Sequence, residues 1–236
     1  GDARAILYGI GVLGSNDMAY MWSKIVDIAK KYNITPGGDT DCAQANTAMF
    51  LAGGFMSKNV SHTIAAVARA IAGARSLVAI ECGATGPTKD CGYENPIVKS
   101  IASVPICAEG KNATCAHADL MGNLTAGVCD VWSNESVYNR EEMGGPTPGV
   151  WLQSLGYECA LMNTAKQIGT AKELRDSYVL ADKYRDPQGV ILAYDNAYRI
   201  GEAIVADGED NYLRARAAAL KAMDCINEAV DAGRIL

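Results

Sequence analysis

Two cysteines, Cys42 and Cys91, occupy positions where chemistry is commonly done. Cys42 follows the Gly37-Gly38 turn in DTDC and opens a helix-forming stretch. Cys91 lies in Asp90-Cys91-Gly92, at the mouth of a segment whose apolar positions Ile97, Val98 and Ile101 recur at helical spacing. A helix N-terminus lowers a thiol's pKa and favours the thiolate, the form that binds zinc. Spacing alone does not join the two residues, and on that ground two unrelated, partly buried cysteines are the simpler reading.

Other polar residues invite weaker readings. Glu109, Cys115, His117 and Asp119 crowd together in sequence, but their spacing fits no metal template and favours the polar lining of a pocket. Gly9, Gly11 and Gly14 have a G-x-G-x-x-G spacing, the mark of a dinucleotide loop. That fold also needs a second strand, and Asn33 to Gly38 reads as a turn instead. An NAD-dependent oxidoreductase using these glycines therefore stands as the alternative enzyme. His62 near a helix start reads as a capping or surface residue.

The elements that must carry these residues alternate. Leu77–Ile80 and Val104–Cys107 read as strands, and Gly189–Ala193 as a strand-like run. Helices are expected from Met18 to Ala29, Val60 to Ala74, Val150 to Ile168, Ala171 to Tyr184, Asn196 to Ala206 and Tyr212 to Ala232. Gly233 then supplies a C-cap. Strands followed by polar clusters and helices give an α/β class. The low strand count points to part of a (β/α)8 barrel of TIM type with extra helices. Residues 1–236 are expected to form a single domain. With no initiating methionine, and with Gly1-Asp2-Ala3-Arg4 running straight into an apolar segment, it reads as a piece of a longer protein.

Composition limits the partners. The 236 residues are 49% hydrophobic and 20% charged, and a net charge of −6 disfavours nucleic acid and anionic membranes. The apolar stretch Ile64–Ala74 is short for a membrane span and carries Arg69. No signal-peptide pattern precedes it, so a cytoplasmic location is expected. The eight cysteines form no C-x-x-C and read as free thiols, and the four Asn-x-Ser/Thr sequons as chance.

Four runs carry a further signal: GGDTDCAQANTAMFLAGG, CGYENPIVKSI, CAHADLMGN and CDVWSNESV. They resemble the zinc-bearing subunit of methanol–corrinoid methyltransferases of methanol-using archaea and anaerobic bacteria, and the likeness runs through most of the chain. The resemblance implies a TIM barrel with extra helices. It implies methyl transfer from methanol to the cobalt(I) of a corrinoid carried by a partner protein, with the alcohol activated by zinc and with Glu81, Tyr93, Glu94 and His117 as candidate general acids for the departing oxygen. Two cysteines and a glutamate hold that zinc in the family, and the cysteines correspond to Cys42 and Cys91. The glutamate is expected upstream of Gly1, which leaves a non-catalytic fragment as a third reading. A homo-oligomer is expected. Neither His62 nor His117 lies in the D-x-H-x-x-G loop of a corrinoid carrier, so the corrinoid is expected to come from the partner.

Overall fold

The computed structural model describes residues 2–39, 58–85, 88–90, 94–104, 106–108, 121–125, 127 and 148–235. The chain opens in a helical rod: α1 (Ala3–Ile6), a π-helical segment (Leu7–Leu13) and α2 (Gly14–Tyr32). Three short strands follow, β1 (Gly38–Asp39), β2 (Thr88–Asp90) and β3 (Ile106–Ala108). Helix α3 (Lys58–Glu81) lies between the first two in sequence, and α4 (Asn95–Ala102) between the second and third. The other described elements are helices: α5 (Gly122–Thr125), α6 (Pro148–Ile168), α7 (Ala171–Asp182), α8 (Pro187–Leu192), α9 (Tyr194–Ala206) and α10 (Asn211–Asp231).

Helix α3 is the axis of the molecule. Between Ala65 and Ala79 nearly every side chain is buried, and α2, α4, α8, α10 and the π segment all pack on it. Its many alanines let neighbouring backbones approach closely, and no face is left for solvent. Ala66, Ala70, Ala74 and Leu77 join Ile97 of α4, Ile191 of α8, Ile200 of α9 and Ala222 of α10 in the main core. A second cluster places Trp22 and Val26 of α2 against Ala79. Helix α3 is long and apolar enough to cross a membrane by composition, but 78% of its apolar window is buried inside the protein. That is the behaviour of a core helix.

The expected (β/α)8 barrel is overturned: the described residues are dominantly helical, and their strands are three pieces of two or three residues. Two of the runs read as strands are helix. Leu77–Ile80 is the last turn of α3, and Gly189–Ala193 falls largely within α8. Both runs are buried on all sides, so hydrophobicity has no period to report, and a short apolar run then reads the same in either structure. Asp186 and Pro187 settle the second case locally. Asp186 Oδ1 accepts from Gln188 N at 2.8 Å, and Pro187 starts the helix. The third run is shifted, with strand at Ile106–Ala108.

Candidate functional site

The three strands pair in parallel in the order β1-β2-β3, with Gly38 opposite Thr88 and Asp39 opposite Lys89. Parallel neighbours leave a sheet at the same edge, about 4.8 Å apart. Beyond that edge, β1 leads to Cys42 three residues after Asp39, and β2 leads to Cys91 directly after Asp90. Both cysteines lie outside the described residues, as do Tyr93, Glu109, Cys115, His117 and Asp119. The register of the described strands thus brings the two approaches together, and three residues span at most about 11 Å.

Downstream of Cys91 the chain is tied to α3. The Glu94 side chain is buried, and its Oε1 accepts from Arg75 Nη2 at 3.2 Å and from Ser76 Oγ at 3.1 Å. Glu81, at the end of α3, is half exposed and forked by Arg214 of α10, with Nη1 to Oε2 at 3.0 Å and Nη2 to Oε1 at 2.8 Å. Of the candidate acids, these two carboxylates are therefore engaged in structural ties.

Cys82 faces a different way. It packs with Met18 and Ile25 against Trp22, and its Sγ donates to Ala19 O at 3.8 Å. Burial, and secondarily the charge of Glu81, push its thiol above the ordinary range. It belongs to the α2–α3 interface.

His62 is buried, contrary to the surface or capping role expected of it. Its Nδ1 meets Asp186 Oδ2, so one carboxylate both starts α8 and anchors the first turns of α3. One turn or two further along, Arg69 donates to Gln188 Oε1 through Nε at 3.1 Å and Nη2 at 2.6 Å. Asp182 accepts from the backbone N–H groups of Asn123 at 2.6 Å and Leu124 at 2.9 Å, holding the end of CAHADLMGN to α7. Sequence reading missed Asp182, Asp186, Arg75 and Arg214. Their partners lie far off in the chain, and only the Asp-Pro pair at 186–187 carries a local signal.

The glycine pattern is explained without a nucleotide. Gly9, Gly11 and Gly14 lie in or next to the π segment, not in a strand-to-helix loop. A side chain at Gly11 would collide with Ala215 of α10, and a Cβ at Gly14 would stand 2.9 Å from Arg75 Cδ. Gly11 and Gly14 are packing glycines, whereas a Cβ at Gly9 would meet nothing within 4 Å. A cavity of about 370 Å³ between Lys183, Tyr184, Asp195, Arg199, Cys225 and Glu228 contains none of the residues singled out above. Four of its charges are paired, with Lys183 Nζ 2.5 Å from Asp195 Oδ2 and Arg199 Nη2 2.5 Å from Glu228 Oε1, while Arg234 lies over the Tyr184 ring.

The model of the family described as "Methanol-cobalamin methyltransferase B subunit" matches residues 1–236. The chain belongs to that family. It is 57% identical, over 227 residues, to "Methanol--corrinoid protein co-methyltransferase" of Methanosarcina barkeri (strain Fusaro / DSM 804), covering 96% of this chain and 49% of that protein. It also resembles a chain in the crystal structure of the methanol:cobalamin methyltransferase complex MtaBC from Methanosarcina barkeri, with a TM-score of 0.84 and 56% identity over 97% of this chain and 50% of that one. The chain therefore spans about half the length of the relatives it matches.

Proposed function

We propose that this chain serves the transfer of the methyl group of methanol to a corrinoid carried by a separate protein, with zinc held in part by Cys42 and Cys91. The observation that carries the reading is 57% identity across 96% of the chain to a methanol–corrinoid protein co-methyltransferase. The parallel register of β1 and β2, which converges on the approaches to the two cysteines, supports the ligand assignment.

Hydroxide is a very poor leaving group from carbon, and a bound zinc ion supplies Lewis acidity toward the alcohol oxygen. The chain's own part is to present two thiolates from adjacent strand ends and to hold their loops in place. Thiolates lower the net charge of the site and leave a position for the alcohol, in keeping with catalytic zinc sites of three protein ligands. The third protein ligand implied by the family is a glutamate expected upstream of Gly1. The tie of Glu94 to Arg75 and Ser76, and of Glu81 to Arg214, directs the search for a proton donor toward Tyr93 and His117.

The test is methanol-dependent methylation of the corrinoid protein by the full enzyme, followed by the corrinoid's absorption spectrum. Methylation that needs methanol, zinc and both proteins is the expected result. Methylation that persists after Cys42 and Cys91 are both replaced by serine overturns the assignment.

A further inference from the structure

We propose that Arg75, Ser76 and Glu94 form a buried clamp that positions Cys91 for its metal. The proposal rests on the reading of Cys91 as a zinc ligand. Glu94 stands at the N-cap of α4, three residues beyond Cys91, yet its side chain makes no capping bond to its own helix. Ser, Thr, Asp or Asn at that position would satisfy the free N–H groups of the first turn. Glu94 turns its carboxylate to α3 instead, where Arg75 Nη2 and Ser76 Oγ donate to the same oxygen. The Arg75 and Glu94 side chains are only 4% and 1% exposed, so the pair is sealed from water.

Holding α4 to α3 does not require this cluster. Ile97 and Val98 are fully buried one turn on, and a Cβ at Gly73 of α3 would lie 3.3 Å from Ile97 Cβ. A buried ion pair adds little net stability over apolar packing, because desolvation offsets the attraction. What it adds is direction: two donors on one oxygen fix the rotation and height of the first turn of α4. The absent side chain of Gly14 makes room for the Arg75 stem, so α2 also takes part in setting the guanidinium. The chain leaving Cys91 is thereby fixed at Glu94, while β2 fixes the chain entering it at Asp90.

The test uses the full zinc-loaded protein and four variants: Ser76→Ala, Arg75→Lys, the double variant Arg75→Met/Glu94→Leu, and Cys91→Ser. The readouts are zinc affinity by chelator competition, melting temperature, and the alkylation rate of Cys91 in metal-free protein. The double variant removes both charges together, so it keeps its fold, and its zinc affinity is expected to fall on the order of tenfold. Ser76→Ala should weaken zinc severalfold with little change in melting temperature, and Arg75→Lys should retain most of the affinity. Alkylation of Cys91 should change in both clamp-breaking variants, as the thiol's surroundings loosen. If Cys91→Ser retains its zinc, the ligand reading fails and the clamp with it. If Cys91→Ser loses zinc while the folded double variant and Ser76→Ala bind it as tightly as the parent, the clamp alone is overturned.

Discussion

Residue by residue, the thiols separate by surroundings. Cys82 is nine residues from Cys91 in sequence, but it is set among the side chains of α2 and pushed up by burial and by Glu81. A raised thiol pKa means less thiolate near neutrality. Cys82 should therefore alkylate more slowly than a free thiol at pH 7, and catch up only above the ordinary thiol range; rates from mass spectrometry between pH 7 and 10 test this. Cys82→Ser should leave zinc near stoichiometric in the full enzyme, whereas Cys42→Ser or Cys91→Ser should remove most of it. Elemental analysis of the three variants decides between them. Asp186 carries a different burden, bonding His62 and starting α8 at once. Asp186→Ala strands a buried histidine and removes a cap, so it should cost about 3 kcal/mol in denaturant unfolding. A loss below about 1 kcal/mol would show that the pair is dispensable.

Among the elements, the helices with an exposed face were legible, as was α3 from Val60 to Ala74, but two short runs buried on every side were not. Trp22 and Ala29 in α2 face the core as the stripe predicts, while Met21 and Ile28 are 47% and 55% exposed on the flank of the rod. The boundaries of α6, α7, α9 and α10 fall within a few residues of those read from caps and periodicity, and Gly233 takes the left-handed conformation at φ +62°. The last turn of α3 and all of α8 were misread because burial on every side erases the period. The G-x-G-x-x-G spacing was weak evidence for a nucleotide, and at Gly11 and Gly14 it reflects close packing against α10 and Arg75. Gly11→Val should therefore push α10 away from the π segment and lower stability by about 1–3 kcal/mol, with no binding of NAD by parent or variant. Thermal unfolding and titration with NAD test the two halves of that statement. Of the site, the cysteines stood out in sequence because they sit in distinctive runs. The clamp did not, since Arg75 and Glu94 are ordinary helix residues until α3 brings them together.

For the molecule as a whole, α3 is the common neighbour of α2, α4, α8, α10 and the π segment, and its centre leaves no spare volume. Ala70 has no exposed surface and lies in the main core. Ala70→Leu should overpack it, at a cost of about 1–3 kcal/mol, and lower the melting temperature by several degrees. An unchanged melting temperature would mean that the core has slack there. The enclosure of this helix also has a consequence for exchange with solvent. An amide on the outer flank of α2 can trade its proton through local fraying, but one between Ala65 and Ala79 is covered on every side. Deuterium should reach that stretch only when the whole structure opens, so the slowest-labelling peptide of the chain should come from the helix that joins the two cysteine-bearing approaches.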